Sequence, residues 1–98
     1  MTYKEATEVI EKNKHLIGQE YKGAKIDELI IRPTNDEQFQ EFAKLYIRSA
    51  NREIAIAPFR NQDVTVSIVC EKNRIRTSSI FLQTEIHNIE KDGLEVNL

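Results

Sequence analysis

Histidine is the side chain most often used in acid–base chemistry near neutral pH, and the chain has two of them. His87 follows Glu85 by two residues, so on a strand both would share one face and the carboxylate could orient the imidazole. His15 follows Glu11 by four residues near the end of a predicted helix, where an ion pair and the helix dipole account for it. Neither histidine adjoins a candidate nucleophile, so we predict no catalytic residue and a chain that is not an enzyme.

The metal-binding side chains are too dispersed for a metal site. Cys70, the only cysteine, and the two histidines are widely separated, whereas metal sites draw three or four ligands from short spacings. Cys70 ends a run of alternating apolar residues, which predicts a small buried hydrophobe. With three glycines in the chain there is no phosphate-binding loop. We therefore predict neither a metal nor a cofactor.

Basic residues are concentrated in the middle of the chain. Residues 43–76 carry seven basic and three acidic side chains, whereas residues 1–42 carry six and nine, and residues 77–98 carry one and four. Arginine binds carboxylates and phosphates through two parallel hydrogen bonds, so a clustered arginine surface suits an anionic partner. The candidate partner-binding residues are Lys44, Arg48, Arg52, Arg60, Lys72, Arg74 and Arg76.

Two functions are consistent with this basic set. The first is a small interaction or regulatory module that binds a protein or acidic partner, or a second copy of itself, through a sheet edge and the arginine-rich face. The alternative is a nucleic-acid-associated protein that uses the same residues. An isoelectric point of about 5.7 and the absence of an exposed aromatic pattern in the set favour the first. A third interpretation is that Glu37 and Glu41 neutralise the stripe, which is then merely solvated.

The first element is predicted to be a helix over residues 3–16. Thr2 and Glu5 have the spacing of a capping box, in which each side chain bonds the other residue's main-chain amide. Apolar residues recur every three or four positions, and Gly18 provides a left-handed end.

A strand and a second helix follow. Residues 25–32 carry apolar side chains on both faces of a predicted strand that ends at Pro33. Thr34 and Glu37 form a second capping-box pair ahead of a predicted helix over residues 35–51. That helix would bury an aromatic face and expose a basic stripe of Lys44, Arg48 and Arg52 on the opposite side.

From Glu53 onward a period of two predicts strands. Residues 53–58 form the first, and residues 64–70 form a half-buried strand whose alternate side chains face the core. Residues 71–74 then form a turn before a strand that carries a bulge or break near Ser78.

The last segment has two interpretations. The favoured one continues the strand to Leu82 and forms a tight turn through Glu85, before residues 86–90 pair with 94–98 across Asp92-Gly93. The alternative is a helix over residues 79–91 that Gly93 ends.

Together these patterns predict one α+β domain over residues 1–98. Two amphipathic helices would pack on a mainly antiparallel sheet of about five strands, in the order α-β-α-β-β-β-β, with a C-terminal meander or partial barrel. No apolar run approaches the roughly 20 residues that cross a bilayer, and a single cysteine is typical of a reducing compartment. We therefore expect a cytoplasmic protein that does not contact membranes.

Overall fold

The computed structural model describes residues 1–70 and 84–98. An antiparallel sheet in the order β1-β2-β3-β4 consists of Glu20–Tyr21, Ala24–Pro33, Val64–Cys70 and Thr84–Glu85. The helices α1 to α4 are Tyr3–Lys12, Asp36–Ser49, Arg52–Ile56 and Ile86–Glu90. The predicted α+β class and antiparallel sheet are confirmed, although the described part of the chain has four strands and follows the order α-β-β-α-α-β-β-α.

Helix α1 starts as its capping residues predict. The amide of Glu5 donates to Thr2 Oγ1 at 3.1 Å, and the amide of Thr2 donates to Glu5 Oε1 at 2.8 Å. The α-helix ends at Lys12, earlier than predicted, and a 3-10 turn over Lys14–Leu16 follows. Gly18 then reverses the chain with a φ of +94°, a left-handed conformation that favours glycine.

A tight hairpin of β1 and β2, which the sequence analysis did not predict, follows this reversal. Tyr21 pairs with Ala24, and the two residues between them, Lys22 and Gly23, have φ values of 51° and 79°. Two consecutive positive φ angles define a type I′ turn, whose twist matches that of antiparallel strands. The turn therefore holds a strand that is only two residues long.

Strand β3 is buried along its whole length. All seven of its residues are buried, so the prediction of one solvent-facing side was wrong. Arg32 lies opposite Thr65 on one face, and the Arg32 guanidinium stacks 4.1 Å from the centre of the Phe39 ring of α2, which therefore covers that face. Helix α1 packs on β2 and β3, and α4 also packs on β3.

Helix α2 begins one residue later than its predicted capping pair implied. The cap is Asn35, whose Oδ1 accepts from the amide of Gln38 at 3.0 Å, and not Thr34. The helix ends at Ser49 because Ala50 adopts a left-handed conformation with φ of 54° and turns the chain away.

Residues 53–58 were predicted as a strand, and this prediction was wrong. Asn51 Oδ1 accepts from the amides of Glu53 at 2.9 Å and Ile54 at 3.1 Å, which starts α3 instead. Ala55 and Ile56 are buried on its inner side, and a 3-10 turn over Ala57–Phe59 follows. Alternation over four small and apolar residues was too short a signal to outweigh a capping asparagine.

The predicted hairpin of residues 86–90 with 94–98 was also wrong, because residues 86–90 form α4 and residues 94–98 form no strand. Gly93, at φ of +95°, ends α4 with bonds from its own amide to Glu90 O and from the Leu94 amide to Ile89 O. This is the Schellman pattern, so Gly93 ends a helix as in the alternative interpretation. That helix begins at Ile86 and not at residue 79, because Thr84–Glu85 form β4. The predicted turn over 71–74 and the bulge near Ser78 lie outside the described residues.

The buried apolar side chains form a core that draws on α1 to α4 and on β1, β2 and β3. Its largest fully buried members include Leu16, Ile26, Phe42, Ile68, Ile86 and Ile89. Among the described helices, none combines the length and apolarity that crossing a membrane requires.

Replacing Asn51 by alanine should lower the free energy of unfolding by about 1 kcal/mol, because two amides at the start of α3 lose their acceptor. Urea denaturation followed by circular dichroism measures this change. The matched control is Asn61→Ala, because Asn61 is exposed and caps no described helix. Equal stability of the two variants would contradict the assigned cap.

Stability should fall on acidification partly through Glu5, whose pKa is lowered by hydrogen bonds from the amide and hydroxyl of Thr2. A carboxyl whose pKa is lower in the folded state stabilises that state above its unfolded pKa, and loses this contribution as the pH falls through the folded value. In urea titrations from pH 6 to pH 3, Glu5→Gln keeps the capping geometry but does not ionise. We expect its stability to decline less steeply than that of the wild type, and parallel declines would contradict the role of Glu5.

Candidate functional site

Lys44 and Arg48 lie on the outer side of α2, as predicted. Both are exposed, and they are one helical turn apart. Lys44 Nζ lies 3.4 Å from Glu41 Oε1, an exposed pair that contributes little to stability. Arg48 makes no ion pair with any other described residue, so its guanidinium is available to a partner.

Arg52 does not belong to this exposed stripe, which corrects its predicted position. Its guanidinium forms an ion pair with Glu28 of β2 and lies 4.9 Å from the centre of the Tyr46 ring. Its side chain is only 26% exposed, so these contacts hold it against the sheet. The chain turns at Ala50, which removes Arg52 from the line that Lys44 and Arg48 would otherwise continue.

Arg60 lies elsewhere, beside α1. Its guanidinium is 5.1 Å from the centre of the Tyr3 ring. Of the seven candidate residues, the structure therefore brings Lys44 and Arg48 together and directs Arg52 and Arg60 to other contacts. Lys72, Arg74 and Arg76 lie outside the described residues.

A shallow groove adjoins Lys44 on the same helix. It has a volume of about 370 Å³ and is lined by Asp36, Phe39, Gln40 and Lys44. Ile47 follows Lys44 by three residues, and 47% of its surface is exposed. We call the side formed by Asp36, Phe39, Gln40, Lys44, Ile47 and Arg48 the α2 surface. Ile47 was missed in the sequence, although an isoleucine between two basic residues of a predicted exposed face was a visible signal.

Arg32 is a second residue that the sequence analysis did not select. It stacks on Phe39 beside the α2 surface, and its partial burial lowers its pKa while the charges of Glu85 and Asp36 oppose that effect. Its position two residues after Ile30 on the helix-covered face was the available signal.

Glu85 and His87 form a pair, but not on the predicted strand face, because Glu85 immediately precedes α4 and His87 lies within it. His87 Nε2 lies 3.0 Å from Glu85 Oε2. Neither described cavity includes His87 or Cys70, and Cys70 is buried at the end of β3. Among residues 1–70 and 84–98, no three histidine, cysteine or carboxylate side chains converge in a way that would hold a metal ion.

Comparison of the chain with protein-family models, with curated proteins and with solved structures found no match.

The two arginines on either side of Ala50 should differ in their effect on stability. Arg52→Ala removes an ion pair and a ring contact and leaves Glu28 half-buried without its partner, which should cost about 2 kcal/mol of unfolding free energy. Arg48→Ala should stay within about 0.5 kcal/mol of the wild type, since its side chain is exposed. Urea titration measures both, and a cost at Arg48 as large as that at Arg52 would contradict this division.

Proposed function

We propose that this protein is a non-enzymatic interaction module that binds an acidic segment of a protein partner through the α2 surface. The observation that carries the proposal is the exposure of Ile47 between Lys44 and Arg48. Burial of Ile47 against a partner would supply affinity, and the charges of Lys44 and Arg48 would supply orientation.

The arginines differ in whether other side chains of the protein already contact them, and this difference supports the choice of α2. Arg52 and Arg60 already contact Tyr46 and Tyr3, and Arg52 is ion-paired. Arg48 can bind a partner carboxylate without losing an ion pair to another described residue. Arginine adds geometric selectivity to such a contact, because its planar group fits a carboxylate through two parallel bonds.

A sheet edge is the weaker route to a partner. Strands β1 and β4, which end the described sheet, span two residues each. Such short strands themselves provide few main-chain groups for an added strand, although β1 pairs with only Ala24 and Lys25 and leaves the rest of that edge of β2 without a described partner strand. Met1 also bonds directly to Val64, the first residue of β3, through two main-chain hydrogen bonds of 2.9 Å. We assign the contact to the helix because the exposed Ile47 lies there between two exposed basic residues.

Nucleic acid is the less favoured partner. Single strands are usually bound by stacking bases on exposed aromatic rings. Three arginines instead stack on the chain's own Phe39, Tyr46 and Tyr3. The net charge of -2 also disfavours long-range attraction of a polyanion. As part of the same proposal we place the protein in the cytoplasm, since its single cysteine is a buried free thiol.

Affinity capture from the native host tests the proposal. The full chain is immobilised as wild type, Ile47→Asp and Arg48→Glu, and bound protein is quantified by mass spectrometry at about 50 and 150 mM salt. We expect both variants to lose the partner by about tenfold or more, because one buries a charge at the interface and the other repels an acidic segment.

Lys4→Glu is the matched control, since it makes the same charge change at an exposed position of α1. Retention of the partner by this control and loss by Arg48→Glu would support the α2 surface. A partner retained equally by all variants would overturn it. Recovery of nucleic acid, seen as a high 260/280 nm absorbance ratio of the eluate, would instead favour the alternative function.

A further inference from the structure

Residues 94–98 lie against the end of α1 and are joined to it by side chains that bind their main chain. Asn13, which is fully buried, donates from Nδ2 to Asn97 O at 2.7 Å and accepts at Oδ1 from the Asn97 amide at 2.7 Å. His15 Nε2 donates to Glu95 O at 2.9 Å, and Asn97 Nδ2 donates to Lys12 O at 3.1 Å. We call residues 94–98 the C-terminal strap.

The Asn13 amide binds the strap as an adjacent β-strand would. One side-chain amide supplies a donor and an acceptor to the carbonyl and amide of a single residue, as main-chain groups do in an antiparallel pair. Its second Nδ2 hydrogen donates to Val9 O at 2.7 Å, which satisfies a carbonyl in the last turn of α1. Asn13 is therefore held in place by its own helix, independently of the strap.

The strap has the burial pattern of an extended segment. Leu94 and Val96 are half-buried against the core, whereas Glu95 and Asn97 are exposed. Side chains of an extended chain alternate between opposite sides, so two apolar residues at alternate positions face the protein while the intervening main chain meets Asn13 and His15. Recognition of this kind depends on an extended main chain and on two apolar side chains.

We propose that the end of α1 is an acceptor site for an extended peptide, that the strap is its built-in occupant, and that an extended segment of a partner protein with apolar residues at alternate positions takes the site when the strap lifts. The polar contacts support this proposal, because most of the side chains that make them, those of Asn13 and His15, belong to the acceptor site. On the strap they bind mainly main-chain atoms, which any extended peptide shares. Gly93, in its left-handed conformation, lies between α4 and the strap and is the point about which the strap would move. The site is separate from the α2 surface.

Strap and partner compete for one site, so the wild-type chain should bind a free peptide weakly. A tethered segment acts as though present at about millimolar concentration, which a soluble peptide must exceed. Weakening the strap without touching the acceptor should therefore reveal the site. Leu94→Asp with Val96→Asp does so within the full chain, because both substitutions place a charge in the half-buried contact and leave Asn13 and His15 intact.

The test measures fluorescence anisotropy of a labelled peptide, Gly-Leu-Glu-Val-Asn-Leu, with three full-length proteins. We expect the Leu94→Asp/Val96→Asp chain to bind at least about tenfold more tightly than the wild type, and the same chain with Asn13→Ala to lose most of that gain. The control peptide carries aspartate in place of its first leucine and its valine. Equal binding by all three proteins, or equal binding of the control peptide, would overturn the proposal.

Amide exchange in the wild-type chain decides the case if a variant fails to fold. A strap that lifts independently exposes the Asn97 amide through a local opening, so this amide should exchange at least about 100-fold faster than the protected amides of β3. Exchange of Asn97 as slow as that of β3 would mean that the strap opens only on global unfolding, and the acceptor-site proposal would be wrong.

Discussion

A strand that is buried on both faces needs a covering layer on each side, and β3 imposes this requirement on the described part of the chain. Its seven residues are buried, including Thr65 and Ser67, whose type would suit a solvent-facing side. Helix α2 packs on β2, where Phe39 contacts Arg32, and α1 and α4 pack on β3. The outer side of α2 remains at the surface, whereas the strap covers the end of α1.

Elements with long and consistent periodicity were predictable from the sequence. The capping residues predicted the start of α1. The apolar pattern predicted the strand that ends at Pro33 and the extent of the strand over residues 64–70. The strand β1 was missed because two residues carry no period, and its existence depends on the Lys22-Gly23 turn. The segment 53–58 was misassigned because one asparagine side chain satisfies two amides and thereby selects a helix over an alternation of four residues.

The positions of the candidate residues could be predicted from helical spacing only where the residues lie on one unbroken helix. Lys44 and Arg48 share one helix, so their common exposure followed from spacing. The same projection failed for Arg52 because α2 ends before it, and no sequence pattern shows where a helix will break at an alanine. The contact of Asn13 with Asn97 joins residues separated by 84 positions, so only the folded chain reveals it.

Ala50 has a consequence for how far this sequence is from its most stable form. An L-amino acid in the left-handed region costs roughly 1–2 kcal/mol, because its Cβ approaches a neighbouring carbonyl oxygen. The backbone at the α2–α3 corner therefore stores a penalty that a residue without a Cβ would avoid, partly offset by the greater freedom of glycine in the unfolded chain. The corner tolerates this penalty rather than being optimised against it, which leaves room for a more heat-resistant version of the same fold.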